Sequence, residues 1–121
     1  MQCEKQLYLY KYHYNLRDKI SEVQQAIFSR GTNVGILAQN LFPGGTNLTP
    51  ASPSLYEKAA TITSEKLKSG EKVLYEPSFI YDGLLVVVDI LQREGNKWNM
   101  FEVKSSTSVS DTYILDAAVQ Y

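Results

Sequence analysis

The sequence has little of what would mark a secreted, thiolate-bound or membrane-spanning protein. A single cysteine, Cys3, leaves no internal disulfide and no zinc site of cysteines within the chain. The one histidine, His13, sits among tyrosines and reads as part of a partly exposed aromatic face rather than as a ligand. No apolar run reaches the length of a bilayer span, and the start lacks the charged-then-apolar pattern of a signal peptide. A cytoplasmic location and no membrane partner are therefore expected, and the Asn47-Leu48-Thr49 sequon reads as chance. Twelve basic against thirteen acidic residues give a net charge of −1, so no global basic field advertises nucleic acid, although a local patch suffices to bind it.

What is present is one domain's worth of chain, 121 residues, organised around residues 72–104. That stretch holds three β-like runs divided by Asp82-Gly83 and Gly95-Asn96, dipeptides that accept the positive φ angles of two-residue hairpin loops. If Asp82 and Gly83 are a loop, Tyr81 faces Leu84 and Asp89 falls opposite Glu76. If Gly95 and Asn96 are the other, Glu94 faces Lys97 and Asp89 also falls opposite Glu102. Glu76, Asp89 and Glu102 then form a row across three strands, with Lys104 two residues on from Glu102 on the same face. Facing residues have Cβ atoms about 4.5–5.5 Å apart, and like charges there repel. Such a row needs a cation or strongly raised pKa values, and a divalent metal on oxygen ligands is the simpler solution.

The rest of the chain supplies helices. Residues 3–20, with Tyr8, Tyr10, Tyr12 and Tyr14, fit either an alternating strand or a helical stripe, and helix is the expectation. Ser21 can cap a helix with Val23 and Ile27 on one face and Gly31 as its stop; a second short helix is expected from about Thr32 to Leu41. Pro43-Gly44-Gly45 opens a loop over 43–53, and no Lys-Ser or Lys-Thr follows to make it a phosphate loop. Ser54 is placed as the cap of a helix to about Ser69, with Leu55, Ala59, Ile62 and Leu67 inward and Gly70 closing it. Pro77 suits an edge strand, and the apolar run Leu84 to Leu91 reads as buried on both faces, with Asp89 its single costly interruption. A last helix is expected from about Thr112, with Ile114, Leu115 and Ala118 inward, and it meets the final residue with no stop signal.

Asp89, twelve residues, then Glu102-Val103-Lys104 resembles the PD-(D/E)XK nuclease signature. Glu76-Pro77-Ser78-Phe79 upstream, Phe101 to Ser106, and a helix ending in Gln120-Tyr121 are similar to the RecB-type exonuclease branch. The opening Cys3-Glu4-Lys5-Gln6-Leu7-Tyr8-Leu9 looks like the start of iron–sulfur members such as CRISPR-associated exonucleases. The resemblance implies a mixed α/β (α+β) fold: a restriction-endonuclease-like core, N-terminal helices followed by a three-stranded antiparallel meander and a helix. The resemblance touches most of the chain and implies that residues 1–121 are one nuclease-like domain, expected to be a fragment of a longer protein because the family core carries a further strand.

The implied activity is hydrolysis of a nucleic-acid phosphodiester, DNA foremost, by an exonuclease of repair, recombination or defence. Asp89, Glu102 and Lys104 would be catalytic. Asp89, Glu102 and the Val103 carbonyl would hold Mg²⁺ or Mn²⁺, with Glu76 as an outer or second-metal ligand. Lys104 would orient or deprotonate water or stabilise charge on the phosphate, and Gln120 and Tyr121 would support the site or the DNA backbone. Two departures stand out: Gly35 occupies the place of the family's histidine ligand, and an iron–sulfur cluster at Cys3 would need cysteines from outside this chain. The alternatives are a non-catalytic nucleic-acid-binding or assembly module on a degenerate nuclease fold, and a structural domain in which Glu102 and Lys104 are an ordinary strand-surface pair.

Overall fold

The computed structural model describes residues 3–16 and 18–121; Arg17, inside the expected first helical segment, lies outside them. Among the described residues the fold is mixed α+β, with four α-helices and two small sheets.

The first helix, α1, spans Glu4–Tyr12 and is followed by a 3-10 turn at Tyr14–Leu16. Helix α2 spans Glu22–Gln39. Ser21 caps it reciprocally: its Oγ accepts from the Gln24 N–H at 3.2 Å, and Gln24 Oε1 accepts from the Ser21 N–H at 3.1 Å. The expected stop at Gly31 does not occur, and the two expected helices are one, 18 residues long. Gly31 and Gly35 stay out of the left-handed region that ends helices, whereas Gly44 and Gly70 enter it. A glycine inside a helix costs about 1 kcal/mol, which the continuous hydrogen-bond ladder outweighs. Val23 and Ile27, expected on one face of the helix, are exposed, as are Phe28, Ile36 and Leu37.

The C-terminal end of α2 is where this region meets the sheet. Ala38 and Phe42 pack against Val73, Tyr75 and Ile90. The Tyr75 hydroxyl donates to the Phe42 carbonyl at 2.5 Å and accepts from the Gly45 N–H at 3.1 Å. A Cβ on Gly45 would stand 2.6 Å from Tyr75 Cε1, so only glycine fits under that ring.

The loop expected over 43–53 contains a two-residue strand, β1 (Thr46–Asn47), parallel to β2 (Val73–Tyr75). Between them a 3-10 turn at Pro53–Leu55 leads into helix α3 (Tyr56–Lys68). Ser54 lies within that turn rather than capping α3, whose cap position, Leu55, makes no side-chain bond and is exposed. Ala59 is buried, Ile62 and Leu67 pack on the core, and Gly70 follows the helix at φ +88°. Thr63, polar and not expected inside, is fully buried.

Both hairpins form in the expected register. Strands β3 (Ser78–Tyr81) and β4 (Leu84–Val87) pair with Tyr81 opposite Leu84; β5 (Ile90–Glu94) and β6 (Lys97–Phe101) pair with Glu94 opposite Lys97. Asp82, Gly83 and Gly95 take the positive φ angles these turns need. The three expected runs are nonetheless five strands, β2 to β6, which with β1 make two sheets, β1-β2-β5-β6 and β3-β4. The break falls at Glu76-Pro77, where Glu76 adopts φ +55° and Pro77 has no N–H to give the ladder.

Register survives the break. Tyr75 pairs with Ile90 on one side and Ser78 with Val87 on the other. The Glu76 N–H donates to the Asp89 carbonyl and the Val88 N–H to the Pro77 carbonyl, both at 3.1 Å. Pro77 is therefore buried at a kink, not on an open edge, and β2 is covered by β1 on its other side.

The core has two parts. Leu48, Leu74, Val88 and Leu91 form one cluster with Ile62, Leu67, Phe79, Val86 and Met100 around it; Val73, Tyr75 and Ile90 form the other with Phe101 and Val103. Val88 and Leu91 share a cluster although a straight strand would put them on opposite faces, so alternation breaks beside Asp89. The run Leu84–Leu91 is correspondingly buried only in its second half: Leu84 and Leu85 are 51% and 41% exposed. Helix α4 spans Asp111–Gln120. Its inner residues are Tyr113, Ala117 and Gln120, while Ile114, Leu115 and Ala118, expected inward, are exposed. Among the described residues no helix is long and apolar enough to cross a membrane.

Candidate functional site

The site lies where the two sheets part. Asp89 sits in the bend between β4 and β5, Glu102 and Lys104 leave β6, and Glu76 occupies the kink between β2 and β3. The pairs flanking Asp89, Tyr75 with Ile90 and Ile90 with Phe101, put it level with Glu76 on one side and Glu102 on the other. All three carboxylates are half-buried.

Asp89 and Glu102 are each held by their own contacts. Asp89 Oδ2 accepts the Val103 N–H at 2.5 Å. Glu102 uses both oxygens: Oε1 pairs with Lys104 Nζ at 2.6 Å, and Oε2 accepts from Gln120 Nε2 at 3.0 Å. Lys104 Nζ also lies 3.7 Å from Asp116 Oδ2 and 5.4 Å from the centre of the Tyr113 ring. Helix α4 thus closes over the site with Tyr113, Asp116 and Gln120, which recur on one helical face.

The electrostatics follow from this crowding. Burial pushes the Asp89 carboxyl above its ordinary range; the Val103 N–H opposes that, the Glu102 charge adds to it, and Lys104 pulls back. Glu76 is also raised, by burial first and then by Asp89 and Glu102. Lys104 is raised because it donates to Glu102, against a smaller burial effect. Two acids raised by burial and by neighbouring carboxylates are groups whose charged forms lack a full complement of partners.

The residues expected at the site from sequence are brought together only in part. Glu76, Asp89, Glu102, Lys104 and Gln120 converge, and the Val103 backbone meets Asp89 directly. Tyr121 is fully exposed, its N–H bonded to the Ala117 carbonyl. Cys3 is exposed before α1. Gly35 lies within α2, and a side chain added there would meet open space. His13 stacks near Tyr8 on the exposed aromatic face, ring centres 5.6 Å apart. Asp116 was not singled out from sequence, although it stands one helical turn before Gln120 and so shares its face.

Asp89, Glu102 and the adjoining Val103 carbonyl are hard oxygen donors, the kind that Mg²⁺ and Mn²⁺ accept. The raised Asp89 and Glu76 carboxyls fit a cation electrostatically. Among the described residues no three His, Cys, Asp or Glu side chains stand close enough to form a ready-made cage. No family model, curated protein or solved structure matches this chain.

Proposed function

We propose that this chain is a metal-dependent nuclease of the PD-(D/E)XK kind, hydrolysing phosphodiester bonds with DNA as its foremost substrate. The observation that carries the reading is the level row of Glu76, Asp89 and Glu102 with Lys104 paired to Glu102 at 2.6 Å. A buried row of like charges is costly in itself, and a divalent cation relieves that cost.

Asp89 and Glu102 would hold Mg²⁺ or Mn²⁺, with the Val103 carbonyl beside them and Glu76 further out. The bound cation would supply an activated water and a counter-charge for the scissile phosphate. Asp89 is fixed in orientation by the Val103 N–H, and Glu102 is held by Gln120 through one oxygen and by Lys104 through the other. Lys104 brings an ammonium to the same place, where it can orient water and stabilise negative charge developing on phosphoryl oxygens.

A second reading, a non-catalytic nucleic-acid-binding module on a degenerate fold, is favoured by one observation: Lys104 pairs with Glu102 at 2.6 Å and so competes with a cation for that carboxylate. Calorimetric Mn²⁺ titration separates the two. The nuclease reading predicts saturable binding that Asp89→Ala and Glu102→Ala each weaken at least tenfold. Absence of binding by the parent chain would overturn it in favour of the module.

A further inference from the structure

We propose that Asp116 is a positioning residue that takes over Lys104 when Glu102 turns to a metal ion, an inference that rests on the metal-site reading above. Both oxygens of Glu102 are engaged, Oε1 by Lys104 at 2.6 Å and Oε2 by Gln120 at 3.0 Å. An ammonium and a divalent cation on one carboxylate oxygen repel each other. Glu102 can therefore give Oε1 to a cation only as Lys104 withdraws.

The withdrawing ammonium needs an anion within reach. Asp116 Oδ2 stands 3.7 Å from Lys104 Nζ, beyond a good hydrogen bond and within ion-pair distance. Its side chain is about half exposed, at 49%, so it can move towards Lys104 without repacking the core. The Tyr113 ring, 5.4 Å from the ammonium, lines the same side. Asp116, Tyr113 and Gln120 all belong to α4, so one helix both fixes Glu102 and receives the lysine that Glu102 releases. Without Asp116, Lys104 remains a competitor for Glu102, and its ammonium has no fixed place beside the phosphate.

The test is calorimetric Mn²⁺ titration of the full chain and its variants, with cleavage as a separate readout. Asp116→Asn is expected to weaken Mn²⁺ binding about two- to five-fold, the range of a partly exposed ion pair. In a Lys104→Met background the same substitution is expected to change Mn²⁺ affinity much less, because the competitor is gone. Asp116→Glu, which keeps the charge, is expected to restore binding. In cleavage, Asp116→Asn is expected to lower kcat at saturating Mn²⁺ with little change in KM for DNA. Equal losses of affinity in the two backgrounds would mean a simple long-range charge effect and would overturn the transfer. So would an unchanged affinity in Asp116→Asn while Asp89→Ala still weakens binding. A parent chain that binds no Mn²⁺ would overturn the metal site itself, and the transfer with it.

Discussion

The kink that places Glu76 is held by one bond from a helix, and removing it should be measurable. Ser78, just after Pro77, is fully buried, and its N–H donates to Thr63 Oγ1 on α3 at 3.0 Å. Thr63→Val keeps the side-chain shape and removes only the acceptor, so it leaves a buried N–H without a partner. Such a loss costs about 1–3 kcal/mol. For 121 residues the unfolding entropy is about 0.25 kcal/mol/K, so Tm should fall by about 4–12 °C. Thr63→Ser keeps the acceptor and loses one methyl group, for about 1 kcal/mol. The Ser78 hydroxyl is the internal control: it is buried with no partner among the described residues, so Ser78→Ala should leave Tm unchanged or raise it. Thermal unfolding followed by circular dichroism measures all three. A Thr63→Val protein melting within a degree of the parent, with Thr63→Ser lower, would refute the bond's role.

Two further outcomes follow from the site and from α2. Asp89 and Glu76 are raised by burial and by neighbouring acids, so the folded chain holds protons that the unfolded chain has already released. With metal chelated, stability should therefore fall as pH rises from the ordinary carboxylate range through the raised folded values. Asp89→Asn should flatten that slope and melt above the parent at neutral pH; an unchanged slope would contradict the burial of the row. In α2, Gly31→Ala meets open space in a helical conformation and should stabilise by about 1 kcal/mol, read as a rise in urea midpoint.

How much of this was legible in the sequence depends on how local the cause is. Asp82-Gly83 and Gly95-Asn96 demand positive φ in a short loop whatever surrounds them, and both registers follow from that. Ser21 with Gln24 is likewise a local cap. Gly31 looks like a local stop, but whether a glycine ends a helix depends on the residues beyond it, and here they continue the ladder. Thr46-Asn47 is a strand only because Leu74 and Tyr75 lie alongside, which no two-residue pattern can announce. Ile114 and Leu115 suggested the wrong face of α4. The face turned inward is polar as well as apolar, because Gln120 reaches Glu102 and Asp116 reaches Lys104. Pro77 suggested an edge strand, whereas it lies buried at a kink, with β1 paired to β2 just before it and Thr63 of α3 bonded to Ser78 just after.

As proposed, Asp89, Glu102 and Lys104 cleave nucleic acid with a metal. The measurement that tests this most directly is Mn²⁺-dependent degradation of labelled linear and single-stranded DNA by the parent chain, Asp89→Ala and Lys104→Ala. Expected are cleavage by the parent that chelation abolishes, and a loss of about a hundredfold or more in both variants with their melting temperatures unchanged or raised. Cleavage that persists in Asp89→Ala and Lys104→Ala, or a parent chain that binds Mn²⁺ and leaves every DNA intact, would contradict it.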